Sequence, residues 1–355
     1  MAITFGASSP SQVTTNLDAL FATSLANYSK KLEDNISESN ALFYEMKKNG
    51  SWEKEAGGTY LAVDLMYELG QFDSYDGYDE LPDTPTDGIT QAIYEWRQGA
   101  VPISYSEKER KQNKQRLHNL VKAKIMQAEM GFIEGFNKAI LQGSMSQGGA
   151  SLVTPYQSAV NGSYFIDPLP KIIDYVPSGA RSVGNIAQNT YTWWRNRTKT
   201  SAATTYLGFL LEFENMYNTC ARGPGGPPNL IITDQTSYEL LNAAYYQKYQ
   251  TQQKTDGNYP FENVMFRKAH VIYDQYVSDV ESTLTSTATY GTAYFVNTKF
   301  LKMRVESETN FEMEPFVKPP KGDSRLAHIL FMGQLCTSNR RKLGVMGKIA
   351  RTLTA

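Results

Sequence analysis

Few residues of this sequence have the types and spacing that binding a phosphate requires. A phosphate-binding loop combines glycines, whose backbone N–H groups face the anion, with a Lys and a hydroxyl residue that follow directly. The glycine-rich run 223–228 (GPGGPP) contains neither the Lys nor the hydroxyl. In the run 344–349 (GVMGKI), an Ile stands where the magnesium-binding hydroxyl is needed. We therefore predict no nucleotide site at either run.

Residues for metal binding or nucleophilic catalysis are also sparse. The acids of the run 73–80 (DSYDGYDE) mostly fall at steps of three, whereas a calcium loop places its ligands at steps of two and ends on a bidentate Glu. Cys220 and Cys336 are more typical of packed thiols than of nucleophiles, and the three His residues lie far apart. We predict no catalytic residue, no metal and no cofactor, and expect that the protein is not an enzyme.

Charge is segregated along the chain, although the formal net charge is only −1. An acidic stretch without a basic residue occupies 70–88, and a basic stretch begins near 108. These stretches are either two independently solvated faces or two halves of a contact between copies, which would propagate into a ring or shell. The acids are Asp73, Asp76, Asp79, Glu80, Asp83 and Asp87, and the bases are Lys108, Arg110, Lys111, Lys114 and Arg116.

A third charged group lies near the end of the chain, where no acid follows Asp323. Arg340, Arg341 and Lys342 form a short basic run. Such a run is either a solvated turn or a contact for a phosphate or an acidic partner, because guanidinium groups recognise both. The sequence alone leaves both interpretations open.

Composition indicates a folded, water-soluble chain made in the cytosol. Of its 355 residues, 41% are hydrophobic and 20% are charged, and no apolar run approaches the ~20 residues that would span a bilayer. The N-terminus lacks the pattern of a signal peptide. The 23 Tyr residues outnumber the 16 Phe residues, which suits surfaces that are wet before assembly and buried after it.

Period-2 alternation predicts a long hairpin on either side of the acidic stretch. The runs 59–69 (TYLAVDLMYEL) and 89–96 (ITQAIYEW) alternate apolar and polar residues, and the first places Leu61, Val63, Leu65, Tyr67 and Leu69 on one face. An isolated two-stranded hairpin is marginal in water. We therefore expect another part of the protein or of an assembly to cover it.

A capping box at Ser106 and Glu109 opens the strongest predicted helix, which extends from 107 to 142. At 1.5 Å per residue this helix would be roughly 54 Å long. Gly131 and Gly135 lie inside it, where glycine costs about 1 kcal/mol relative to Ala. We expect them to mark a bend or a close backbone crossing.

The remaining elements mix strands and helices without a regular βαβ rhythm, which predicts an α+β fold. Polar residues with scattered apolar positions make the first fifty residues an arm with a short amphipathic helix. A buried strand at 229–233, a capping Asp234 and a helix with Tyr238 and Leu241 follow later. Further strands are predicted near 264–266, 269–273, 293–296, 300–305, 327–332 and 343–349.

The order of these parts resembles the major capsid proteins of tailed bacteriophages, which share the Hong Kong 97-type fold. The resemblance covers residues from about 35 to 351 and includes 229–241 (NLIITDQTSYELL) and 333–345 (GQLCTSNRRKLGV). It implies an N-terminal arm at 1–50, an extended hairpin called the E-loop at 51–103, a peripheral domain with a long spine helix at 104–149, an axial domain at 150–295, and the C-terminal strands of the peripheral domain at 296–355.

The resemblance also implies a function and partners. Copies would assemble into hexamers and pentamers of an icosahedral or prolate head, in the virion, after assembly in the bacterial host cytoplasm. The shell would contact packaged DNA non-specifically and no membrane. It implies a separate scaffolding protein and a portal protein, with a cement protein as a further candidate partner. An encapsulin-like nanocompartment shell and a cytosolic α+β enzyme are the alternatives.

Overall fold

The computed structural model describes residues 40–70, 72, 74, 76–77, 87–112, 117–142, 144–145, 153–154, 164–249, 264–277, 290–320 and 322–354. Its helices are α1 (Ala41–Lys48), α2 (Glu107–Gln112), α3 (Leu117–Leu141), α4 (Leu169–Ile172), α5 (Tyr206–Ala221) and α6 (Gln235–Tyr249). Its strands are β1 (Trp52–Glu55), β2 (Leu61–Met66), β3 (Ile89–Tyr94), β4 (Arg97–Ser106), β5 (Ser144–Met145), β6 (Val153–Thr154), β7 (Ser182–Val183), β8 (Ile186–Ala187), β9 (Arg197–Thr200), β10 (Leu230–Thr233), β11 (Val264–Phe266), β12 (Ala269–Tyr273), β13 (Gly291–Val296), β14 (Leu301–Met313), β15 (Ser324–Thr337) and β16 (Gly344–Ile349).

A four-stranded sheet joins the two ends of the described chain in the order β1-β14-β15-β4. Strand β1 runs parallel to β14, with Trp52 opposite Met303, and β15 is antiparallel to both β14 and β4. Helix α3 contacts this sheet through aromatic residues, with the ring centroids of Phe136 and Phe331 4.9 Å apart. The large core cluster of the molecule therefore combines residues from distant parts of the sequence.

A six-stranded sheet has the order β11-β12-β10-β13-β16-β9. All four residues of β10 are buried, which explains why this strand is apolar throughout. Helix α5 packs on the sheet through Phe213, whose ring lies 4.8 Å from that of Phe295. A second core cluster forms between this sheet and helices α5 and α6.

The strand–helix unit lies where the sequence predicts it. Strand β10 leads into helix α6, and the Asp234 carboxylate accepts hydrogen bonds from the Ser237 hydroxyl and backbone N–H group. The two short strands β11 and β12 coincide with the predicted segments, and β13, β14, β15 and β16 each overlap theirs. The α+β class is confirmed.

The long predicted helix is described as two segments, α2 and α3, and residues 113–116 lie outside the described part of the chain. The capping box forms, because the Glu109 N–H group donates to Ser106 Oγ and the Ser106 N–H group donates to Glu109 Oε2, each at 3.1 Å. A Cβ atom added at Gly131 or Gly135 would meet no described atom within 4 Å. The described residues therefore show no close backbone crossing at these glycines, and the alternative, a bend, stays a prediction.

The last part of the predicted arm is buried in the core. Leu42, Phe43 and Met46 of α1 are fully buried, and Asn40 caps the helix by accepting from the Leu42 N–H group. Strand β1, which the sequence did not predict, follows directly. The apolar arm positions before residue 40 lie outside the described residues.

Candidate assembly surface

The predicted hairpin is confirmed at its base by strands β2 and β3. They are antiparallel, with Leu61 opposite Tyr94 and Met66 opposite Ile89. Beyond the strands, the Tyr67 N–H group donates to the Gly88 carbonyl oxygen at 2.9 Å. The alternating apolar and polar residues of the sequence thus lie on two opposite faces of the hairpin. One of these faces contacts the body of the subunit.

The inner face of this hairpin extends past the body that covers it. Leu61 and Leu65 are 0% and 3% exposed, whereas Tyr67 is 38% and Leu69 is 78% exposed. The sequence therefore continues an apolar face for which the described subunit provides no cover at Leu69. Apolar surface of this kind usually marks a contact with another molecule.

The outer face of the hairpin is apolar near the same end. Met66 and Ile89, which lie opposite each other, are 71% and 69% exposed, and Phe72 is 94% exposed. Removing such side chains from water is worth roughly 25 cal/mol per Å² of apolar area. We define the assembly surface as the exposed apolar side chains on both faces at this end of the hairpin, Met66, Leu69, Phe72 and Ile89.

The structure describes only part of the predicted charged contact. Asp76 and Asp87 of the acidic stretch are exposed, as are Lys108 and Lys111 of α2. The remaining predicted residues lie outside the described positions or, for Arg110, have no described side chain; they are Asp73, Asp79, Glu80, Asp83, Lys114 and Arg116. A charged contact between hairpin and helix stays a prediction.

The C-terminal basic run is mostly internal, so for Arg340 and Lys342 both the solvated turn and the external contact are wrong. Arg340 is fully buried and donates to the carbonyl oxygens of Ile172 and Trp194 and to Asn196 Oδ1 at 2.8–3.1 Å. Burial lowers its pKa to about 10, so it keeps its charge at neutral pH. Of the three residues, only Arg341 is exposed.

Lys342 is buried for a related reason, at the C-terminus of α5. Its Nζ donates to the carbonyl oxygens of Ala221, Arg222 and Gly223 at 2.9–3.2 Å. These carbonyl groups have no partner within the helix, and a cation there is favoured by the helix dipole. Desolvation by burial lowers the pKa of Lys342. Two of the three basic residues of this run therefore bind acceptors inside the subunit.

The two thiols are packed, as the sequence predicts. Cys220 and Cys336 are buried and unpaired, and burial raises the pKa of Cys220 to about 12, so the thiol stays protonated at neutral pH. Among the described residues, no group of three His, Cys, Asp or Glu side chains could hold a metal ion. None of the described helices is long and apolar enough to cross a membrane.

A contact that the sequence did not predict lies at the edge of the assembly surface. Tyr67 stacks on Trp193, with ring centroids 4.9 Å apart and ring planes 19° apart. The two residues are far apart in sequence, and Tyr67 was predicted only as a strand position. The only sequence signal at Tyr67 is its place in the inward-facing series, next to last, before Leu69.

The fold matches solved capsid subunits. A chain of the cyanophage A-1(L) capsid asymmetric unit is 12% identical, with 84% of this chain and 90% of that chain covered and a TM-score of 0.56. A chain from Mycobacterium phage Ogopogo is 10% identical, with 83% and 88% covered and a TM-score of 0.51. No family model and no curated protein sequence matches. The chain has the Hong Kong 97-type capsid fold.

An encapsulin chain shows a lower structural similarity. A chain of the SrpI encapsulin complex from Synechococcus elongatus is 8% identical, with 86% of each chain covered and a TM-score of 0.46.

Proposed function

We propose that the protein is the major subunit of a tailed-phage head and assembles into hexamers and pentamers of a closed shell. The observation that carries this proposal is the set of apolar side chains at the end of the hairpin that the described part of the subunit does not cover, in a chain with a capsid fold. A second copy of the chain is the partner that such a fold supplies. The shell, within the virion, is where the protein would act.

The chemistry of the assembly surface supports a contact between copies. Met66, Leu69, Phe72 and Ile89 are large and uncharged, and the cores of protein interfaces are depleted of charged residues. A contact between different surfaces of identical subunits repeats around an axis, and it closes into a ring when the rotation allows. Nearby Asp76 and Asp87 would then lie at the polar rim.

The further partners follow from the same proposal. The interior of the shell would contact DNA through phosphates, in a salt-sensitive way and without reading bases. A separate scaffolding protein and a portal protein would take part in assembly in the host cytoplasm, and a cement protein is a further candidate. Co-expression with the neighbouring genes would test each of these partners.

Electron microscopy of the purified protein tests the proposal. We expect hollow particles or capsomer-sized rings from the wild type, and folded, unassembled subunits from a Leu69→Glu/Phe72→Glu variant. The matched control is Leu69→Met/Phe72→Leu, which keeps the surface apolar and should assemble. Discrete wild-type monomers with a measurable catalytic turnover would contradict the proposal and favour an enzyme. Shells that enclose a protein cargo instead of DNA would favour the nanocompartment.

A further inference from the structure

Tyr67 ties together the two chain segments at the point where the hairpin leaves the body. Its N–H group donates to the Gly88 carbonyl oxygen, and its hydroxyl donates to the Asp87 carbonyl oxygen. It continues the inward-facing series of β2, and the next residue of that series, Leu69, is 78% exposed. Tyr67 is therefore the outermost described position of this series with substantial cover.

The ring on which Tyr67 stacks belongs to a well-supported part of the body. Trp193 lies in a short 3-10 turn, Thr192–Trp194. The neighbouring Trp194 is buried and its Nε1 donates to the Val183 carbonyl oxygen at 2.9 Å. On the other side, the Tyr191 N–H group donates to the Ala187 carbonyl oxygen at 3.1 Å. These bonds fix the backbone on both sides of Trp193.

The root of the hairpin has a separate attachment to the same region. The Ile93 N–H group donates to the Gly184 carbonyl oxygen at 3.0 Å. A Cβ atom at Gly184 would lie 2.8 Å from Ala92 Cβ, so the backbone of the body approaches β3 closely there. Tyr94 is buried, and its hydroxyl donates to the Thr337 carbonyl oxygen. The hairpin thus has an inner attachment at β3 and an outer one at Tyr67.

We propose that the Tyr67–Trp193 stack sets the direction in which the β2–β3 hairpin leaves the subunit. The inner attachment fixes the position of the hairpin, and the aromatic stack, as the outer attachment, fixes its tilt. A change in tilt would displace Leu69 and Phe72, which lie beyond the stack. This inference rests on the proposed function only where it states that the hairpin reaches a second copy.

Hydrogen exchange of the unassembled subunit tests the role of this stack directly. In Trp193→Leu and in Tyr67→Leu, we expect exchange at residue 67 and across 87–90 to rise about threefold to tenfold, as expected when an aromatic pair of ordinary strength is lost. Trp193→Phe keeps an aromatic partner and should show a smaller rise. The matched control is Tyr60→Leu, an exposed tyrosine that precedes β2, which should leave this exchange unchanged.

Particle shape provides the second measurement. We expect folded Trp193→Leu and Tyr67→Leu subunits, with melting curves close to wild type, to form particles of mixed diameter, and Tyr60→Leu to form wild-type particles. Unchanged hydrogen exchange in both leucine variants would overturn the proposed role of the stack. Raised exchange in variants that still form uniform particles of wild-type diameter would also overturn it. A wild type that forms neither particles nor capsomer-sized rings would overturn the proposed function, while the exchange result still decides on the stack itself.

Discussion

At the residue scale, the buried cations Arg340 and Lys342 have structural roles that a run of basic residues in the sequence does not reveal. Arg340 supplies three hydrogen bonds that join the end of α4 and the segment 194–196 to the C-terminal region. A buried charge is costly unless its donors are paired, and removing a partner leaves that cost in place. These contacts make Arg340 a stability residue.

Replacing Arg340 tests this role. Lysine cannot reproduce the planar set of donors, so Arg340→Lys should leave at least one of the carbonyl oxygens of Ile172 and Trp194 unsatisfied. Asn196 Oδ1 would keep a donor, because it also accepts from the Asp174 N–H group. We expect a loss of about 1–3 kcal/mol in the free energy of unfolding, measured by urea denaturation. Arg341→Lys, at the exposed neighbour, is the control and should change stability little. An equal loss in both variants would contradict the assignment.

Asp274 gives a prediction about pH. Burial raises its pKa, opposed by hydrogen bonds from the Tyr276 N–H group and from Asn137. Because its folded-state pKa is raised, its contribution to stability is present below the unfolded value of about 3.9 and is lost as pH rises through the folded value. The stability of the wild type relative to Asp274→Asn should therefore fall as pH rises from about 4 towards neutrality. Thermal melts of both proteins across this range measure it, and a constant difference would refute the prediction.

At the element scale, local periodicity was sufficient for some elements and not for others. The β2–β3 hairpin and the β10–α6 unit could be predicted because alternation, helical spacing and capping residues lie within a short window. Strand β1 could not, because only its parallel partner β14, about 250 residues later, makes it a strand. The burial of α1 and of Arg340 was hidden for the same reason, since each depends on distant segments.

Helix α3 provides a prediction on an element. Gly131 and Gly135 are exposed, and a methyl group at either position meets no described atom. Exposed glycine inside a helix costs roughly 0.5–1 kcal/mol relative to alanine. Gly131→Ala and Gly135→Ala should each stabilise the subunit by about that amount in urea denaturation. A loss of stability would show that the glycines are required for the shape of the helix.

At the scale of the whole molecule, assembly should combine apolar burial with charge. We expect Asp76→Lys/Asp79→Lys/Asp83→Lys to fold but to assemble poorly, because the reversed charges would face the basic helix of another copy. Salt shortens the Debye length from about 30 Å at 0.01 M to about 3 Å at 1 M. High salt should therefore restore assembly of this variant but not of Leu69→Glu/Phe72→Glu.

Light scattering and electron microscopy at both salt concentrations measure this difference. Normal assembly of the charge-reversed variant at low salt would mean that the hairpin–helix contact is wrong, and that the apolar surface acts alone.

The four-stranded sheet also constrains the synthesis of the protein. Strands β1 and β4 lie within the first 106 residues, whereas their partners β14 and β15 extend to Thr337. At typical translation rates of about 5–20 residues per second, the early strands wait on the order of half a minute for their partners. A nascent chain that has not been translated as far as Thr337 cannot contain the finished sheet. Neighbouring nascent chains on one messenger RNA therefore cannot polymerise as native subunits before that point.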